Sequence, residues 1–110
     1  MPRVWGGRSL ATVLGRKLPG TGSWGESWDI CDRLSEQSIV AHGEWAGWSL
    51  HDLWNRNREE IFGDQLLGDR FPLLIKILDA ESDLSVQVHP PEQVASVLGG
   101  SPKTEMWFIA

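Results

Sequence analysis

A single cysteine, no tyrosine, no basic run and no long apolar stretch remove several classes of protein from consideration. Cys31 cannot close an internal disulfide and has no second thiol with which to build a thiolate metal site, so it reads as a buried thiol. The ten Lys and Arg residues are scattered among fifteen Asp and Glu, for a formal net charge of -5. That leaves no electrostatic track for a phosphodiester backbone, and no nucleic-acid partner is expected. No segment approaches the roughly 18 apolar residues of a membrane span, and the N-terminus lacks the apolar core of a secretory signal. No membrane partner is expected, and the expected location is the cytoplasm.

What is present is enough apolar material, 41% of 110 residues, for one small core, with no repeat or linker along which to divide it. Residues 1-110 are therefore read as a single domain. A domain of this size is stable alone only if its strands close up or a partner covers them. Seven Trp residues either fill that core or line a ligand cleft.

Five glycines between Trp5 and Gly22 predict that the opening stretch is mostly loop. Ser27 to Ile30 and Ser38 to Val40 are short strand candidates. Ser49, with Asp52 three residues on, predicts a helix start, and Leu50, Leu53, Trp54 and Ile61 fall near one stripe of a single amphipathic helix ending at Gly63. Phe71 to Leu78, apolar but for Lys76, has the length of a strand buried on both faces. A second short helix is expected from Pro91 or Glu92 to Leu98, closed by Gly99.

Leu84, Val86 and Val88 alternate strictly with Ser85, Gln87 and His89, and period two predicts a strand with one aliphatic and one polar face. The last segment repeats the arrangement, with Lys103, Glu105 and Trp107 on one face. A polar strand face normally meets water. Yet Gln87 and His89, two apart, project to the same side, as two ligands of one ion must, and Glu105 can supply a third. Imidazole, carboxylate and amide oxygen suit a divalent cation, with zinc the first choice where thiolate is absent. His42 and His51 read as structural.

Three blocks in order, Phe71-Pro72-Leu73-Leu74-Ile75-Lys76, Leu84-Ser85-Val86-Gln87-Val88-His89-Pro90 and Lys103-Thr104-Glu105-Met106-Trp107, resemble the signature of type I phosphomannose isomerases. Trp5-Gly6-Gly7, Gly25-Glu26-Ser27-Trp28 and the Ser49 to Gly63 region resemble the same family, so the similarity spans nearly the whole chain. The resemblance implies a mainly β fold, a jelly-roll-like cupin barrel present in part, with one or two short helices and the polar strand face turned inward. It implies Gln87, His89 and Glu105 as ligands of one zinc ion, with the family's fourth ligand, a histidine, falling beyond Ala110. It implies Lys103 and Ser85 as catalytic pocket residues near a sugar phosphate, and Trp5, Glu26 and Lys76 as substrate contacts. For Trp5 and Lys76 the residues alone leave another reading open: the indole can plug a barrel end, and the lysine can snorkel to the surface.

The implied activity is interconversion of mannose 6-phosphate and fructose 6-phosphate by metal-assisted proton transfer, with no base assignable. A catalytically incomplete cupin portion that binds metal or sugar phosphate, or pairs with another chain, is the alternative. One local departure from the family pattern is Pro91 after His89-Pro90. The resemblance also implies exposed edge strands at the Lys103 to Ala110 end, through which a homo-oligomer could form.

Overall fold

A computed structural model describes residues 1-100 and 102-110. The chain runs β1 (Pro2–Gly7), α1 (Ser9–Thr12), β2 (Glu26–Ile30), α2 (Leu50–Arg56), α3 (Arg58–Phe62), β3 (Ile75–Leu78) and α4 (Glu92–Ala95). β2 and β3 pair antiparallel, with Glu26 opposite Leu78, Ser27 opposite Ile77 and Trp28 opposite Lys76, and the register slips between Trp28 and Ile30. β1 crosses the start of this ribbon through single bridges, Pro2 and Gly7 to Trp24 and Gly6 to Ala80. Backbone bonds from Gly7 N–H to Asp79 O (3.2 Å) and from Glu81 N–H to Trp5 O (2.9 Å) hold it there.

The opening segment is thus not mostly loop. Gly6 and Gly7 belong to a strand, and their lack of a side chain serves close packing: a Cβ on Gly6 would lie 2.4 Å from the Gly25 nitrogen. The glycine cluster marked a crossing of two backbones, a use that composition cannot distinguish from a turn. Behind the crossing, the Asp79 carboxylate accepts the Leu10 N–H at 3.0 Å and so caps the first turn of α1, which seats Leu10 in the interior.

The expected helix start at Ser49 is realised. Its Oγ accepts the Asp52 N–H at 3.0 Å and donates to the Asp52 carboxylate at 2.7 Å. The single helix is broken, however, at Asn57 (φ -130°), which ends α2 and begins α3. Asn competes with the helix through its own side chain and favours such junctions. On the buried side Trp54, fully shielded, meets Phe62 at 5.3 Å and Phe71 edge-on at 5.6 Å, and its indole donates to Gly68 O at 2.9 Å. Trp54, Leu10 and Cys31 are the largest fully buried side chains among the described residues, and Cys31 is the expected buried thiol. Burial pushes that thiol above its ordinary range.

Four strand expectations need correction. Phe71 to Leu78 forms a strand only over its last four residues, and Leu73 and Ile75 are exposed, so it is not buried on both faces. Pro72 removes one ladder donor at its start. Leu84 to His89 and Lys103 to Ala110 carry no strand, because neither finds a ladder partner among the described residues. The edge strand expected at the C-terminal end is accordingly not formed, and no closed barrel is present among the described residues. The antiparallel ribbon and short helices agree with part of the expected architecture, although the helices hold more residues than the strands. Ser38 to Val40 is reduced to a bridge between Ile39 and Ser49. The short helix near Glu92 is present, with turns continuing toward Gly99.

Candidate functional site

Two groups of the expected site residues assemble separately. In the first, His89 and Glu105, sixteen positions apart in sequence, approach with Nε2 to Oε2 at 3.3 Å. Lys103 lies against both, its Nζ 3.4 Å from His89 Nε2 and in direct contact with the Glu105 carboxylate. The Lys103 ammonium holds the Glu105 carboxyl below the usual carboxylate range, with His89 adding to the effect. Gln87 bonds instead to Ser85, its Nε2 donating to Oγ at 3.2 Å. All of these contacts are at the surface, on segments without a ladder.

The donor chemistry of this group fits a divalent cation in part. Ligand atoms each about 2.0 to 2.1 Å from a tetrahedral zinc stand about 3.3 Å apart, which matches the separation between His89 and Glu105. Among the described residues, however, no group of three His, Cys, Asp or Glu side chains is placed to hold a metal. The imidazole and carboxylate pair is assembled, while the Gln87 amide meets Ser85 through its nitrogen, not through the oxygen that would ligate a cation.

The second group lies on the β1, β2 and β3 face. Glu26, nearly buried, accepts from Arg3 Nη2 at 2.8 Å and from the Trp28 indole at 2.8 Å on one oxygen, and its other oxygen stands 3.5 Å from Lys76 Nζ. β-Pairing of Trp28 with Lys76 puts the indole and the ammonium side by side over that carboxylate. Burial pushes the Glu26 carboxyl up, but the Trp28 N–H, Lys76 and Arg3 together outweigh it and hold the group below its ordinary range. Trp5 is buried beside them, its ring edge lying where a Cβ on Gly25 would sit. Lys76 therefore neither snorkels freely nor stands alone.

Sequence reasoning missed Arg3, although the alternation that puts Arg3 and Trp5 on one side of a strand was available. It also missed Asp32. That buried carboxylate gathers Gln37 Nε2 (2.8 Å), Arg70 Nη1 (2.8 Å), the Phe71 N–H (3.0 Å) and His51 Nδ1 (3.1 Å). Nothing in the spacing of these residues signals the cluster. His51 is structural, as expected, and His42 lies exposed in a loop.

Comparison with known proteins places the chain in a class of sugar-phosphate isomerases. The model of the type I phosphomannose isomerase catalytic domain matches residues 2–108, and the chain belongs to that family. It is 47% identical to the mannose-6-phosphate isomerase ManA of Bacillus subtilis over 97% of its own length and 33% of that protein. It is 39% identical to the mannose-6-phosphate isomerase of Streptococcus mutans, again over 97% of this chain and 33% of the relative. The crystal structure of the Bacillus subtilis mannose 6-phosphate isomerase is similar with a TM-score of 0.77 at 39% identity, over 88% of this chain and 30% of that one. The chain thus spans about a third of the length of the relatives it matches.

Proposed function

We propose that the chain is the metal-binding portion of a cupin-type mannose-6-phosphate isomerase, with Gln87, His89 and Glu105 as ligands of one zinc ion. The observation that supports this reading best is the approach of His89 and Glu105 to 3.3 Å, across a long sequence separation, at the positions where the family resemblance puts two ligands. A divalent cation bound there would supply charge stabilisation to the oxygens of the substrate as an enediol forms between C1 and C2. The Lys103 ammonium, next to that pair, favours an anionic ligand by charge. The Ser85 hydroxyl, which accepts from Gln87, still has its O–H to donate to a ligand oxygen. Trp5, Glu26 and Lys76, the second group, form the wall that contacts the sugar phosphate.

No described helix is long and apolar enough to cross a membrane, and action on a free sugar phosphate is in keeping with a cytoplasmic location. Self-association through exposed segments at the C-terminal end belongs to the same proposal.

Elemental analysis of the purified chain, beside a Gln87→Ala, His89→Ala variant, tests the metal site. Near-stoichiometric zinc in the parent and its loss in the variant is the expected result. Metal absent from both, together with no binding of mannose 6-phosphate by calorimetry, would sink the reading.

A further inference from the structure

Arg3 takes no part in the reading above, yet the fold makes specific room for it. A Cβ on Gly25 would lie 2.6 Å from Arg3 Cβ and 2.8 Å from its Cγ, so the glycine lets the arginine stem lie flat across the start of β2. The stem delivers the guanidinium to the Glu26 carboxylate at 2.8 Å and to the Pro2 carbonyl at 3.2 Å. Glu26 is only 7% exposed, and its two oxygens are used unequally. One carries two short bonds, from Arg3 and Trp28, while the other meets Lys76 at a looser 3.5 Å.

The charge balance follows from the geometry. One carboxylate faces two cations, and the closer cation is the arginine, whose planar fork is the better partner for a carboxylate. With Glu26 neutralised by Arg3, the Lys76 ammonium keeps charge to offer outward. Were Arg3 absent, the carboxylate would turn to Lys76 and quench it. We propose that Arg3 is a positioning residue that acts through Glu26, engaging one carboxylate oxygen at 2.8 Å so that Lys76 is left only the looser 3.5 Å contact with the other and its ammonium can bind the anionic oxygens of a sugar phosphate. This rests on the functional reading above in that Lys76 contacts the ligand.

The groups facing Glu26 from every packed element are Arg3 from β1, Lys76 from β3, the Trp28 indole on β2 itself and the Met1 ammonium, which donates to the Glu26 carbonyl at 2.5 Å. The test uses the whole chain labelled with ¹⁵N, with the Trp28 indole resonance assigned through Trp28→Phe. Arg3→Gln keeps the Cβ and Cγ that pack on Gly25 and removes the charge. Its expected effect is to raise the pH midpoint at which the Trp28 indole senses Glu26, with Arg3→Lys restoring part of the difference. In parallel, fructose 6-phosphate affinity is measured in a double-mutant cycle. Arg3→Gln and Lys76→Ala should each weaken binding about tenfold, and the double variant little more than either, since residues acting through one another do not add.

An unmoved indole midpoint in Arg3→Gln, or losses that add fully in the double variant, would overturn the proposal. If the parent chain binds no fructose 6-phosphate while the indole still responds to Arg3→Gln, the functional reading fails and the ligand role of Arg3 falls with it. In that outcome the ion-pair clamp alone survives, so the two failures are distinguishable. If Arg3→Gln loses its dispersed amide spectrum, Arg3→Lys takes its place in the cycle: a partial rise of the midpoint together with a partial loss of affinity supports the proposal, and parent values of both overturn it.

Discussion

At the residue scale three buried carboxylates among the described residues, Asp79, Glu26 and Asp32, have different work to do. Asp79 caps α1 and Glu26 stands between Arg3 and Lys76, whereas Asp32 ties together three parts of the chain: the Gln37 turn, His51 on α2, and the Arg70 and Phe71 pair that leads into the aromatic cluster. Burial pushes the Asp32 carboxyl up, but the bonds from Gln37, the Phe71 N–H and His51 outweigh it and hold the group below its ordinary range. A carboxyl whose folded value is depressed contributes stability that is present above its unfolded value and lost as pH falls through the folded one. Stability should therefore begin to drop below about pH 4 and continue to drop under further acidification. Asp32→Ala, which strands Arg70 and the Phe71 N–H, should cost about 3 kcal/mol at neutral pH. Urea midpoints taken from pH 6 to pH 3 check both statements, because Asp32→Asn should flatten the acid limb. An unchanged limb in that variant would show that other carboxylates govern acid sensitivity. None of this was legible in the sequence, since Asp32 gains its partners from positions up to 39 residues away.

At the scale of elements, what could be read was what is decided locally. The Ser49 and Asp52 spacing announced a helix start because both bonds between them, Asp52 N–H to Ser49 Oγ and Ser49 O–H to the Asp52 carboxylate, close within four residues. Ser49→Ala should accordingly cost about 1 kcal/mol, seen as a lower urea midpoint with a smaller helical signal. A change within error would mean that the contacts of Trp54, and not the cap, fix the start of α2. The strand near Glu26 was equally visible, since Trp28 and Ile30 alternate with Ser27 and Asp29. Leu84 to His89 has an even clearer alternation and forms no strand, because period two describes side-chain direction while a strand requires a ladder partner that the pattern does not name. The same distinction governed the candidate site. His89, Glu105 and Lys103 approach one another, while Gln87, assigned from the same face of a strand that is not formed, is turned to Ser85. The clamp on Glu26 was half visible: Glu26 and Lys76 were singled out, but Arg3 required the crossing of β1 over Gly25, which only the fold reveals.

At the scale of the whole molecule, the surface is too large for the chain. A compact monomer of 12.3 kDa exposes about 6,100 Å², whereas this chain exposes 8511 Å². Its radius of gyration is 16.4 Å, against about 13 Å for a compact domain of this length. The excess surface exceeds the roughly 1,600 Å² that a standard interface buries in total. It is apolar where the alternating segments lie: Val86, Val88, Met106 and Phe108 are each more than 80% exposed. An exposed β-prone segment with a continuous apolar side invites pairing with another chain, even where no strand is yet formed. The purified chain should therefore self-associate with rising concentration in sedimentation velocity, and Val86→Thr combined with Phe108→Ser should shift the distribution toward monomer without lowering the urea midpoint. Because both side chains are already in water, their replacement removes little folded-state burial and acts on association alone. A chain that stays monomeric at about 100 μM, far above the micromolar dissociation constants of specific interfaces, would show that these apolar segments do not drive association, and the proposed homo-oligomer would be withdrawn.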